Sequence, residues 1–384
     1  MKLKPKNWLQ RKSQDFKLIF TKLRAYIFQI SYFVLVKPFL TKNNEGKSAS
    51  VLIINTEKLG DLVLSLQFIH NVASIESDKN VVLLTDIKFF NGIFSDDKPF
   101  KVFAVDINKY KRSPIYRIIF LHTLRKFNFD KVLNISPSRG ILNDEISLNC
   151  NARFTAAVVS VSNYLPGSIL TKNIARYTFV LQSNEINEST RLHLLFQSVY
   201  GTVYSEQNSF PGLISCKETH IDLVDKYILI APSSSENIRN WPKEKFKILA
   251  NKLAEKTEVI LLGTSEQESI INFISDGNKI KGYAGNFNFA ECVYLIRNSS
   301  LFIGLDSGFT HIAQLFGKPY VAIIGGGNFK KFFPYTKSEN SFCKYFQLDC
   351  FNCEWNCIYK ETYCLSLVEV DEVYSNCIEL MERN

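Results

Sequence analysis

Beyond its first fifty residues the chain carries no net charge. Of 46 Lys/Arg and 37 Asp/Glu in 384 residues, eleven bases and two acids fall in residues 1–50, which leaves 35 of each sign elsewhere. A nucleic-acid-binding protein shows its basic excess on the folded body, so nucleic acid is excluded as a partner. A secreted disulfide framework is also missing. The nine cysteines are scattered along a long chain, most of them after residue 340, as for reduced thiols in a cytosol. No short-period repeat is present. Wholesale disorder is excluded by 31 Phe and 17 Tyr.

What is present begins with a basic N-terminal arm, residues 1–45. Its apolar run Ala25–Val36 is twelve residues, bounded by Arg24 and Lys37-Pro38. A bilayer span needs about 20, so the run alone is too short. No small-residue cleavage site follows it, which argues against a signal peptide. Earlier apolar positions, among them Leu9, Phe16, Ile19, Phe20 and Leu23, alternate with bases. The pattern predicts a basic amphipathic helix on an anionic membrane surface. A helix packed on the protein's own body and a single uncleaved span are the alternatives.

After a polar linker at 43–48, short apolar runs alternate with helical patterns. Strands are predicted at 51–54, 81–84, 102–105 and 131–135, with helices after 61 and over 115–127. The pattern restarts with strands at 227–231, 259–262, 301–303 and 320–324, and helices at 243–256, 290–297 and 312–316. Two α/β halves with parallel sheets follow from this alternation.

Chemistry-bearing residues gather at the strand exits. Gly60-Asp61 puts a carboxylate after the first strand, where an Asp also makes a good helix N-cap. Pro232-Ser-Ser-Ser235-Glu-Asn-Ile-Arg239-Asn-Trp-Pro242 joins a strand to a helix. Its Ser234, Ser235 and Arg239 suit a diphosphate, although Ser-rich loops are also ordinary connections. In Gly304-Leu-Asp306-Ser307-Gly308-Phe-Thr-His311, backbone N–H groups of Ser307 and Gly308 open a helix, with His311 one turn in. Glu266 follows the strand at 259–262, where it can accept from a ribose or an adenine amino group. Cys350, Cys353, Cys357 and Cys364 can close a tetrahedral zinc site, but the spacing is not a common one and free thiols are preferred. No D-x-D metal motif sits at a strand exit.

Three of these features in register resemble glycosyltransferase family 9, the ADP-heptose:lipopolysaccharide heptosyltransferases. They are Val51–Leu66 with its Gly-Asp turn, Ile230–Ser235 with Arg239-Asn-Trp-Pro242, and Phe302–Pro319 with D-S-G-x-x-H and G-x-P. The chain departs from the family pattern at Asn55, Arg239, Leu305, Phe309 and the turn Gly325-Gly326-Gly327-Asn328.

The resemblance implies a GT-B fold, α/β, with two Rossmann-like domains facing a cleft. An acceptor domain would occupy 46–215 and a nucleotide-sugar domain 216–365, with the last helix in 366–384 returning to the N-terminal domain. The implied reaction is inverting transfer of a heptose from an ADP-sugar to a lipopolysaccharide-type or other cell-surface glycan acceptor, lipid-linked or nascent. Asp61 would be the base. Ser234, Ser235, Arg239, Ser307 and Gly308 would hold the diphosphate, Asp306 and His311 would orient sugar or phosphate oxygens, and Glu266 would contact adenosine. No cofactor is implied. The expected location is cytoplasmic, peripheral on the inner face of a bacterial inner membrane. A nucleotide-sugar epimerase or hydrolase, or a non-catalytic assembly protein of the same fold, is the alternative.

Overall fold

A computed structural model of the chain describes residues 3–40, 50–77, 80–137, 140–159, 166–203, 211–334 and 339–383. The linker expected at 43–48 lies outside these residues. The chain divides into two compact units, Lys12–Glu206 and Met1–Arg11 with Gln207–Asn384. The division falls at 206/207, where the sequence suggested 215/216.

In the first unit α1 (Trp8–Ser31) is followed by β1 (Ser50–Ile54), α2 (Leu59–Ile75), β2 (Asn80–Asp86), β3 (Lys101–Val105), α3 (Ile107–Arg112) and α4 (Pro114–Arg125). Then come β4 (Phe129–Asn134), α5 (Ile141–Asn149), β5 (Phe154–Val158), α6 (Gly167–Ile174), β6 (Phe179–Leu181) and α7 (Glu188–Tyr200). The sheet order is β3-β2-β1-β4-β5-β6, all parallel. Every residue of β1 is buried, as a central strand covered on both faces requires.

The second unit contains β7 (Tyr227–Ile230), α8 (Lys243–Ala254), β8 (Glu258–Gly263), α9 (Glu268–Ile274), β9 (Ile280–Ala284), α10 (Phe289–Asn298) and β10 (Leu301–Leu305). It ends with α11 (Gly308–Leu315), β11 (Tyr320–Ile323), β12 (Ser341–Lys344), α12 (Tyr363–Ser366) and α13 (Val370–Arg383). Its order, β12-β11-β10-β7-β8-β9, is the same winding as the first sheet read from the other edge. In both sheets the order reverses beside the unit's first strand. Ligands of doubly wound sheets bind at the carboxyl ends of the strands there.

The last helix packs on the second unit's own core. Val370, Val373, Cys377 and Leu380 of α13 recur at helical spacing and are buried in a cluster with Leu249, Leu253, Val321 and Ile323. Residues 4–6 pack on the same unit. The Lys6 N–H donates to the Ile358 carbonyl at 2.8 Å and the Lys360 N–H to Lys4 at 3.0 Å, so the chain's start adds a short antiparallel bridge to the second unit.

Further along, Tyr32 and Val36, in the helical turns that continue α1, sit in the first unit's core with Val105, Tyr110 and Leu121. Between these anchors α1 exposes Phe16 by 70%, Ile19 by 64%, Leu23 by 52% and Ile30 by 60%. The helical stretch Leu9–Phe39 is 31 residues, long and apolar enough to cross a membrane by length and composition. The twelve-residue run is therefore part of a longer helical segment, in which the bases Lys12, Lys17, Lys22 and Arg24 are interspersed.

Candidate active site

The first unit places Asp61 after β1. Helix α2 starts at Leu59 with Lys58 as its N-cap, so Asp61 is the third helical residue and not the cap. There its carboxylate lies in the positive end of the helix dipole. The turn before it is fixed by Asn55, which is fully buried. Asn55 Nδ2 donates to the Asp61 carbonyl at 3.2 Å and to Ser65 Oγ at 2.9 Å, and Asn55 Oδ1 accepts the Glu57 N–H at 3.2 Å.

A buried polar network extends from this turn to the exit of β4. Thr56 Oγ1 donates to Asn143 Oδ1 at 2.7 Å, and Asn143 Nδ2 to Ser136 Oγ at 2.7 Å. Asn143 and Ser136 were not singled out in the sequence, because isolated Asn and Ser residues carry no spacing signal.

The second unit brings together the loops after β7, β8 and β10. Ser234, 7% exposed, braces its own loop: its N–H donates to Asn240 Oδ1 at 2.8 Å and its hydroxyl to the Glu236 carbonyl at 2.9 Å. Ser235 is exposed. Asn240, which the sequence reading passed over, organises the turn, and its Nδ2 also donates to Ser233 Oγ at 3.3 Å. Trp241 is buried and its Nε1 donates to the Val368 carbonyl at 3.1 Å, seating the loop on the core.

Arg239 Nη1 lies 3.9 Å from Asp306 Oδ2, which joins the β7 loop to the β10 loop. Ser307 is the N-cap of α11, so the Gly308 amide begins that helix's unsatisfied donors. Thr310 Oγ1 donates back to the Leu305 carbonyl at 2.5 Å and fixes the strand-to-helix bend. Glu266 stands exposed in the short helical turn after β8. Its neighbour Gln267 reaches the Ser234 carbonyl at 3.5 Å and so couples the two loops.

His311 is buried, with its ring 4.5 Å from that of Phe333. Burial first, and then the Arg239 charge, push its pKa down to about 3. The imidazole is therefore neutral near pH 7 and offers one donor and one acceptor rather than a positive charge. The unfolded chain, with an ordinary histidine near 6.5, takes up the proton first on acidification. This group's stabilising contribution is complete above about pH 6.5 and falls as the pH drops toward 3. Urea denaturation of His311→Gln should show a flatter pH dependence over that window than wild type. An unchanged slope contradicts the assignment.

The strand–loop–helix turns and their polar groups thus fall at the reversal point of each sheet. Residues 191–359 match the model of glycosyltransferase family 9 (heptosyltransferase). The resemblance drawn from the motifs holds over that stretch, which contains Ser234, Ser235, Arg239, Glu266, Asp306, Ser307, Gly308 and His311 but not Asp61. The chain is also similar in sequence to curated proteins. Lipopolysaccharide heptosyltransferase 3 of Escherichia coli is 29% identical over 112 residues, 28% of this chain. That match spans 33% of the relative's own length.

Among solved structures, the family 9 glycosyl transferase of Veillonella parvula aligns with a TM-score of 0.67 at 16% identity, covering 89% of this chain and all of that one. Heptosyltransferase WaaC of E. coli, solved with ADP-2-deoxy-2-fluoro heptose, aligns at 0.63 and 13% identity, covering 86% of this chain and 99% of that one. The two-sheet α/β architecture expected from the sequence is the fold these structures share with the chain.

Proposed function

We propose that the protein is an inverting glycosyltransferase that transfers a heptose from an ADP-sugar to a growing lipopolysaccharide-type glycan. The observation that carries this reading is the joining of Arg239, Asp306 and the start of α11 at the reversal point of the second sheet. A guanidinium and free helix amides there suit a diphosphate. The ligand named for WaaC, ADP-2-deoxy-2-fluoro heptose, supports the choice of donor. The names of the curated relatives support the acceptor class.

In this reading Asp61 takes the proton from the acceptor hydroxyl. The oxygen attacks the anomeric carbon, and the bond from that carbon to the diphosphate oxygen breaks. The charge appearing on ADP is met by Arg239 and the α11 amides. Asp306 and neutral His311 hold sugar hydroxyls, and exposed Glu266 contacts the adenosine. Ser234 serves as a brace of the loop, and Ser235 contributes from its exposed tip.

The test is incubation of the protein with ADP-heptose and a deep-truncated lipopolysaccharide acceptor, with the product analysed by mass spectrometry. A heptose added with inverted anomeric configuration is expected. Donor breakdown without acceptor points to the hydrolase or epimerase alternative, and binding without turnover to an assembly role.

We propose free thiols rather than a zinc site at Cys350, Cys353, Cys357 and Cys364, whose spacing is not a common one for zinc. Cys350, Cys353 and Cys364 are pushed up by burial, Cys364 to about 11, so they are thiols near pH 7. Elemental analysis should return well under one equivalent of zinc, and a full equivalent contradicts this.

We also propose that α1 rests on the inner membrane's anionic surface, with its bases on headgroups and its exposed apolar side chains in the interface. Deleting residues 1–45 would remove Tyr32 and Val36 from the core, so point changes give the cleaner test. Ile19→Glu combined with Leu23→Glu should abolish binding to phosphatidylglycerol vesicles without changing the melting temperature by more than a few degrees. Retained binding would reduce α1 to a packing element. Wild type that only detergent, and not salt, releases would make it a span.

A further inference from the structure

The segment after β12 takes no part in the reading so far, yet it meets the arginine on which that reading depends. Three observations converge on Trp355. The first is its floor, the turn Gly325-Gly326-Gly327 after β11. A Cβ on Gly325 or Gly327 would come within 2.6 or 2.3 Å of the Trp355 ring, and one on Gly326 within 2.2 Å of the Phe351 ring. The three glycines are therefore the condition for both rings to lie directly on the backbone. Two hydrogen bonds pin the loop there: the Asn352 N–H donates to the Gly326 carbonyl at 2.7 Å, and the Glu354 N–H to the Gly327 carbonyl at 2.9 Å.

The second observation is the backbone. Glu354 and Trp355 have φ of +49° and +64°. A bulky side chain seldom adopts the left-handed region, and it persists there only where the surroundings dictate it.

The third is the partner. The Arg239 guanidinium carbon lies 5.2 Å from the Trp355 ring centre. Arg239 Nε is buried and donates to nothing among the described residues, and the Asp306 carboxylate, at 3.9 Å, is beyond hydrogen-bond reach. An aromatic face attracts a guanidinium through its quadrupole and takes up none of its N–H donors. A carboxylate in the same place would consume them.

We propose that Trp355 is the positioning residue of Arg239. It holds the guanidinium by its π face over the triglycine floor, so that the N–H fork stays available for the two phosphates of a nucleoside diphosphate. This rests on the reading that Arg239 binds the donor's diphosphate. It explains why Gly325 and Gly327 after β11 are glycines: a Cβ on either would displace the Trp355 ring, and one on Gly326 would displace the Phe351 ring.

The experiment is calorimetric titration of ADP and of inorganic pyrophosphate into the full-length protein. The variants are Trp355→Leu, Trp355→Phe, Arg239→Ala and the double variant Arg239→Ala/Trp355→Leu. Trp355→Leu should weaken ADP binding about tenfold. Trp355→Phe, which keeps a π face, should restore most of that loss. The double variant should bind no more weakly than Arg239→Ala alone, because the tryptophan acts through the arginine.

Where Trp355→Leu fails to fold, Gly325→Ala, which presses on the ring edge, takes its place and should show the same loss. Additive losses in the double variant overturn the proposal, as does unchanged affinity in Trp355→Leu. If Arg239→Ala weakens binding and Trp355→Leu does not, the diphosphate reading stands and this inference alone falls. Wild type that binds neither ADP nor pyrophosphate overturns both.

Discussion

Asp61→Asn should lower turnover on the order of 100-fold or more while leaving the dissociation constant for ADP nearly unchanged. The two side chains have the same shape, so what is lost is the capacity to accept a proton. Because Lys58 occupies the N-cap of α2, the substitution leaves the cap residue in place. It removes a first-turn charge, worth about 0.3–1 kcal/mol to the helix. A large kinetic loss beside a small change in melting temperature therefore separates the two roles an acid can have at this place. The measurement pairs steady-state transfer rates with ADP titration. Near-normal transfer in the Asn variant would leave Asp61 as a dipole partner and send the search for the base elsewhere.

The second large effect is on stability. Arg117, 1% exposed, faces Glu145, 5% exposed, through a two-point contact in which its Nε donates to Oε1 at 3.0 Å. Tyr110 also donates to Glu145 Oε1, at 2.9 Å. Burial raises the Glu145 pKa, and Arg117 opposes that rise. On its other side Arg117 holds α1: its Nη1 donates to Ser31 Oγ at 2.7 Å, and its guanidinium carbon lies 4.1 Å from the Phe28 ring centre.

Arg117→Ala therefore leaves a buried carboxylate without its cation and cuts a tie to the helix, at a cost of about 3–5 kcal/mol. Urea unfolding checks this, and Arg117→Met combined with Glu145→Gln should recover part of the loss. A change below about 1 kcal/mol in the Ala variant would show that the pair is already solvated.

Much of this was legible in the sequence, for reasons that differ between elements. The strands β1, β7, β10 and β11 are buried throughout and β8 over its middle, and they read as apolar runs. The strands Phe154–Val158, Ile280–Ala284 and Ser341–Lys344 were not named. Phe-Thr-Ala-Ala-Val has small side chains, and Ile-Lys-Gly-Tyr-Ala and Ser-Phe-Cys-Lys belong to outer strands with half-exposed positions, so neither run nor alternation stands out. The places of Asp61 and His311 in the first turns of helices, and of Arg239 and Asp306 in the connections before helices, followed from motif spacing.

What the sequence hid is the cooperation between loops distant along the chain. Asn240 was passed over because a lone Asn has no pattern. Trp355 was hidden because its role depends on Arg239, more than a hundred residues earlier, and on glycines that carry no chemistry of their own. The anchoring of the N-terminal helix was hidden for a similar reason. Its charge and aromatics describe a membrane helix well, but Tyr32 and Val36 reveal their burial only once β3 and α4 stand beside them.

The pairing of the chain's start with its end has a consequence for synthesis. Lys4 donates its N–H to the Tyr363 hydroxyl across 359 positions of sequence. Lys4 is therefore synthesised 359 residues before its partner. At about 5–20 residues per second the segment waits tens of seconds for its docking place. Until then the segment lacks the partners that hold it on the second unit.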